Sequence, residues 1–205
     1  MKQPRRTAIL MAMMACVTAR VLPARAATPA EAFVSDNIDK GLAILNNKQL
    51  TQTQRRDQFA QLLLGVTDIR RIAIFTLGRY AAMASQADRD AFVAAFQRYA
   101  MAVYQSYFAQ YARQTLRVVR STERAPGDFV VVTNFLDPSI ATSKPLEVNF
   151  RVLTNGGVPV LVDFSVAGVW LGLEERDQFV AVLGQNGGSI PQLISHLDKI
   201  ASQYN

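Results

Sequence analysis

Few side chains in this sequence combine the type and the spacing that catalysis requires. His196 is the only histidine of the 205 residues, and Cys16 is the only cysteine. A hydroxyl nucleophile relayed through imidazole would have to use His196, which falls in a predicted C-terminal helix with no nucleophile motif beside it. The nearest approach to G-x-S-x-G, Gly187-Gly188-Ser189, lacks the glycine that should follow. One histidine and one cysteine argue against the ligand set of a zinc site. Neither G-x-x-x-x-G-K-[ST] nor G-x-G-x-x-G occurs, so phosphate-cradling loops have no signature here. The carboxylates close enough to pair, Asp88 with Asp90 and Glu174 and Glu175 with Asp177, sit in the first turns of predicted helices. There they complement the helix dipole. Arg113, Arg117, Arg120 and Arg124 form the one concentrated basic run. Nucleic-acid binding would want more charge with aromatic platforms beside it, so no nucleic-acid partner is expected. The run reads as a solvated strand edge, or as a surface that meets anionic headgroups or a partner protein. No catalytic residue, metal or cofactor is expected.

Charge separates two parts of the chain. The formal net charge is +6, but Lys2, Arg5, Arg6, Arg20 and Arg25 lie in residues 1–26, which hold no Asp or Glu. The remainder carries 17 basic against 16 acidic residues and is nearly neutral. Residues 1–26 read as a secretory signal peptide: a basic start, an apolar core from Ile9 to Val17, and Ala24-Arg25-Ala26 as the small-residue cleavage signal. The residues after Arg5-Arg6 match a twin-arginine signal poorly, and Met13 fits poorly three places before a lipidated Cys16. The leader looks bacterial, with the periplasm as destination, and residues 27–205 are expected to form a single domain. No other segment approaches the ~20 apolar residues of a membrane span.

Helices come first in that domain. Thr28-Pro29-Ala30-Glu31 is a capping box opening a helix to about Leu45, with Phe33, Ile38, Leu42 and Leu45 as its apolar stripe. A second helix runs from near Thr51 to Leu64, with Phe59, Leu62 and Leu63 inward, and Asp68 caps a short third that stops at Gly78. Ser85 opens the longest helix, to about Tyr111, where Phe92, Phe96, Tyr99, Val103, Tyr107 and Tyr111 recur every three or four residues; Tyr104 and Phe108 widen the stripe. The period then changes from 3.6 to 2. Residues 116–122 and 129–136 read as strands. Leu146, Val148, Phe150 and Val152 form one half-buried face, Asn155-Gly156-Gly157 a hairpin turn, and Val160, Val162, Phe164 and Val166 the face of the returning strand. Two helices close the chain, about 173–183 and 189–202. The fold class is α+β: N-terminal helices and a C-terminal helix pair packed on a curved, mainly antiparallel sheet. The apolar faces either fill a core or stand apart around a cavity, and periodicity alone does not separate the two.

Several landmarks in order carry a resemblance. They are Pro29-x-x-x-Phe33-Val34, Arg55-Arg56-x-x-Phe59, and the Asp68 helix leading into Leu77-Gly78-Arg79-Tyr80. Then come the long helix with Phe92, Phe96 and Tyr104, Asp163-Phe164-x-Val166-x-Gly168-Val169, Arg176-x-x-Phe179, and Gly187-Gly188 before Leu193-Ile194-x-x-Leu197. In these the chain resembles the MlaC-like (toluene-tolerance) family of periplasmic lipid-binding proteins, the soluble component of a phospholipid ABC transport system. It departs after Gly168, where Trp170 stands for a frequent serine and Ala167 for a frequent acid. The hopanoid-associated branch, HpnM, shares the landmarks. The resemblance implies a deep apolar pocket for acyl chains. It also implies handover between an outer-membrane lipoprotein complex and an inner-membrane MCE-domain ABC transporter. Two chains of ~16 carbons would cost on the order of 25 kcal/mol to expose to water, which is why such a carrier is needed.

The apolar faces then nominate the lipid-lining residues: Phe135, Val148, Phe150, Val162 and Phe164 from the sheet, and Leu77, Tyr80, Phe96, Tyr99 and Tyr104 from the helices. Arg79 is assigned to the pocket mouth or to an ion pair with a carboxylate such as Asp68. Arg113, Arg117, Arg120 and Trp170 are assigned to the mouth or a partner surface. The expected function is a periplasmic phospholipid carrier. Its rivals are a hopanoid-lipid carrier, an exported lipid enzyme using His196 as base, and a scaffold of the transporter with a filled core.

Overall fold

In the computed structural model, residues 26–108, 115–137 and 145–204 are described, the side chains of 104–108 excepted. The leader with Cys16, the side chain of Tyr104, and Arg113 lie outside the described residues. Helix α1, Pro29–Asn46, begins as its capping box dictates: Thr28 Oγ1 accepts from the Glu31 N–H at 3.1 Å, and Glu31 Oε2 accepts from the Thr28 N–H at 3.0 Å. Helix α2, Gln52–Val66, repeats the device with Thr51 and Gln54. Helix α3, Ile69–Thr76, is capped by Asp68, whose Oδ1 accepts from the Arg71 N–H at 3.0 Å. Gly78, at φ +54°, ends α3, and the chain continues as a 3-10 turn over Gly78–Ala82 before α4, Gln86–Phe108.

Five strands follow: β1, Thr115–Ala125; β2, Asp128–Leu136; β3, Leu146–Leu153; β4, Val160–Val166; and the two-residue β5, Val169–Trp170. They pair in sequence order, every pair antiparallel. Three irregularities change the register, one of them between Glu123 and Ala125 at the end of β1. Val118 pairs with Thr133 and Arg120 with Val132, leaving Val119 unpaired; Arg151 pairs with Asp163 and Val152 with Leu161, leaving Val162 unpaired. Helices α5, Leu171–Gln185, and α6, Ile190–Ala201, complete the chain. The fold is α+β, six helices with one five-stranded antiparallel sheet among the described residues.

Two apolar cores hold these layers. In the first, α3, α4, α5 and α6 close around Phe179, whose ring meets Phe92, Phe96 and Tyr99 edge-on with centroids 5.9–6.2 Å apart. In the second, Ala30 and Val34 of α1 pack on Val131 and Val152, with Phe33, Phe129, Phe150 and Leu161 around them. Thr28 Oγ1 also lies 3.1 Å from Ser121 Oγ, which ties the start of α1 to the edge strand β1.

Candidate functional site

The sheet and the helices do not meet everywhere. Between them lie two apolar chambers that share the side chains of Leu63 and Leu161. One lies beneath α1 and α2 and spans about 720 Å³ including the part open to solvent. Phe33, Ile38, Leu42 and Leu45 of α1, Phe59 and Leu62 of α2, and Leu116 and Phe150 of the sheet line it. Gly41 also lines it, and a Cβ there would stand 3.2 Å from the Phe59 ring, so the glycine lets α1 and α2 approach. Asn37 is its polar lining side chain, and Nδ2 donates to Phe33 O at 2.7 Å. The other lies among α3, α4, α5 and β4 and spans about 670 Å³ on the same basis, lined by Ile69, Ile72, Phe96, Ala100, Met101, Phe164 and Leu171.

Leu161 divides the chambers because its backbone is held from outside the sheet. Thr67 forms a parallel bridge to it, and the Asp68 N–H donates to Leu161 O at 3.0 Å. The bulge at Val162 changes the side-chain parity of β4, so Leu161 and Phe164, three apart, both line the chambers.

Polar groups enter the second chamber from two elements. Asp163 Oδ1 accepts from the Phe164 N–H at 2.8 Å and the Gly172 N–H at 3.0 Å, a clamp between β4 and the first turn of α5. Burial pushes its carboxyl up, and those two N–H groups and Arg151 act the other way. Glu175 Oε1 accepts from Tyr99 Oη at 2.8 Å, while Oε2 is buried with no hydrogen-bond partner among the described residues. Burial pushes the Glu175 carboxyl up; the Tyr99 hydroxyl opposes this and neighbouring Glu174 adds to it. Asp128 behaves oppositely: Arg151 donates to both its oxygens, at 3.0 and 2.8 Å, and holds it below the usual carboxylate range.

Of the residues nominated from sequence, Phe96, Phe164 and Phe150 line the chambers. Leu77, Tyr80 and Tyr99 pack in the helical core instead, and Tyr99 reaches the second chamber through its hydroxyl on Glu175. Val162 lines neither chamber, since it is the unpaired residue of the bulge. Val148 and Phe135 line neither as well; Val148 pairs with Val166, and Phe135 pairs with Leu116, itself a lining residue of the first chamber. Arg79 is exposed, its guanidinium 5.1 Å from the Tyr80 ring centroid and donating to Tyr80 Oη at 3.2 Å, while Asp68 is engaged in capping α3. Arg117 and Arg120 are exposed on β1, the edge strand; the unpaired Val119 between them lets both project from one face of the sheet. Trp170 is half-buried in β5 opposite Ser165.

Sequence reading did not single out the α1 and α2 stripe as a lining, nor Glu175. The α1 stripe carries the same signal whether it fills a core or walls a cavity. Glu175 did have a signal: it interrupts the row Leu171, Phe179, Leu183, spaced by four on the inward side of α5. His196 is exposed on α6, and neighbouring Ser195 donates its hydroxyl to Pro191 O at 3.0 Å within the same helix. Among the described residues no group of three His, Cys, Asp or Glu could hold a metal ion. None of the described helices is long and apolar enough to cross a membrane.

Comparison with known proteins agrees with this architecture. The phospholipid-binding protein from Ralstonia solanacearum, solved in complex with a phospholipid, superposes with a TM-score of 0.76 at 21% identity, covering 86% of this chain and 99% of that one. No curated protein gives a significant match. The sequence signature of the MlaC protein family matches residues 35–199, which hold most of the lining of both chambers and the whole sheet: the chain belongs to the MlaC family.

Proposed function

We propose that the protein is a periplasmic carrier that holds one diacyl phospholipid, an acyl chain in each chamber, and moves it between membrane components of an ABC transport system. The observation that carries this reading is the pair of apolar chambers meeting at Leu63 and Leu161. A cavity with two lobes suits a ligand that forks into two flexible chains better than one rigid fused-ring body. Family membership and the phospholipid complex of the Ralstonia protein support the lipid class. The basic, apolar leader supports export. The partners this reading implies are an inner-membrane MCE-domain transporter and an outer-membrane lipoprotein complex. Carriage breaks no covalent bond, so it needs burial and release rather than an acid, a base or a nucleophile. Each methylene withdrawn from water is worth about 0.8 kcal/mol, a gain the membranes at both ends offer equally, so transfer is a near-balanced exchange.

The test is mass spectrometry of lipid extracted from the protein purified from the periplasm. The expected result is one diacyl phospholipid per chain. A hopanoid in its place would reassign the ligand. Protein that is empty and also refuses lipid from vesicles would sink the carrier reading.

A further inference from the structure

Glu175 is the polar exception in an apolar lining. It faces the second chamber with Tyr99 of α4 and Asp163 of β4 nearby and Glu174 beside it on α5; no lysine or arginine lines that chamber. A carboxylate there has no cation to offset its burial, and this favours the neutral acid. Tyr99 donates to Oε1, so the proton of the neutral acid resides on Oε2. In that neutral form the chamber wall would present an O–H donor at Oε2, an atom that is buried with no hydrogen-bond partner among the described residues. A buried donor left unmatched is the costly case in hydrogen bonding, and a ligand that supplies an acceptor gains what the protein forgoes when empty.

We propose that Glu175 Oε2–H docks an ester carbonyl of the bound lipid, so that the protein prefers acyl-ester lipids to alkyl-ether lipids of the same chain length. The inference rests on the carrier reading and names the chemistry that the chamber selects. An ester carbonyl is the polar atom that must accompany an acyl chain into an apolar space. A phosphate or ammonium would have to shed its hydration without a counter-charge.

The experiment incubates the purified protein with vesicles of equal diester and diether phosphatidylglycerol of matched chain length, then quantifies the bound lipids by mass spectrometry. Wild type is expected to load the diester in excess by about tenfold, the size of one neutral hydrogen bond. Glu175→Gln keeps an N–H donor at the same place and retains the preference. Glu175→Leu takes up both lipids without preference. Equal loading of the two lipids by wild type overturns the proposal and leaves the carrier reading standing, and it is also the outcome if a water satisfies Oε2. Loss of preference in Glu175→Gln as well overturns the donor role, since the amide N–H still offers a donor at that place. Loading of neither lipid removes the carrier reading and this proposal with it. Wild type and Glu175→Gln alone decide the matter should Glu175→Leu not fold.

Discussion

Glu175 and Asp163 face a cost that Asp128 does not. Both are pushed up by burial, while Asp128 is held down by the Arg151 fork. For an acid whose folded value lies above its unfolded one, the folded state binds the extra proton. Stability therefore falls as pH rises from the ordinary value, 4.5 for Glu175, through the raised one. Glu175→Gln removes that penalty and still accepts from Tyr99. It is expected to be more stable than wild type at pH 7, with the difference closing as pH falls to about 4, in denaturant titrations at a series of pH values. A gap that widens on acidification would contradict the assigned direction. Asp128 has the opposite sign: its contribution is present above 3.8 and is lost as pH falls below it. In the sequence, Glu174, Glu175 and Asp177 read as one dipole-compensating group. The structure divides them: Glu174 stays exposed and accepts from Gln178 Nε2 at 2.9 Å, whereas Glu175 turns inward. Which carboxylate turns inward follows from the row of four-residue steps, a signal present in the sequence but outweighed by the helix-start pattern.

At the scale of elements, what could be read locally agreed with the structure. The Thr28–Glu31 box, the Asp68 cap and the Asn155-Gly156-Gly157 turn each act within a few residues, so their side chains alone predict them. Bulges are different, since an unpaired residue is defined only against a partner strand. The alternation Val160, Val162, Phe164, Val166 suggests one continuous face, yet the bulge at Val162 brings Leu161 to the chambers. The hairpin from β4 to β5 holds a second such feature. Ala167 at φ +51° and Gly168 at φ +85° form its two-residue turn, and alanine is costly in the left-handed region. Ala167→Asn is expected to stabilise the protein by about 1 kcal/mol, read as a raised denaturation midpoint with an unchanged denaturant slope.

For the whole molecule, the consequential feature is that α1 packs on the sheet through Ala30 and Val34 but leaves a chamber beneath the rest of α1 and α2, while α4, α5 and α6 close on one another. Phe179 fills the centre of the helical core, with Phe92, Leu183, Leu193 and Leu197 fully buried around it, so this region needs no ligand to complete it. On the carrier reading, lipid completes the chambers. Loading with phospholipid is accordingly expected to raise the thermal midpoint, increasingly with lipid supplied, because only the folded state binds it. Leu63 lies in the wall shared by both chambers, and Leu63→Trp would put a bulkier side chain where they adjoin. That variant is expected to keep the far-UV spectrum of the wild type and to lose most lipid uptake from vesicles. Undiminished uptake would mean that the two chambers do not hold one ligand.

Sequence by itself determined the order of the elements, the α+β class and the apolar side of most of them. Caps, periods and turn residues act over four to eight positions, and each is written in its own segment. Only the tertiary structure decided which apolar faces touch and which stand apart. The stripes of α1 and α4 carry the same kind of signal, yet α4 meets Phe179 while α1 roofs a cavity. That difference depends on contacts between distant segments: the Thr67–Leu161 bridge, the Asp163–Gly172 clamp and the Thr28–Ser121 contact. A gap between two faces is a property of the separation that such contacts impose, and residue period carries no record of it.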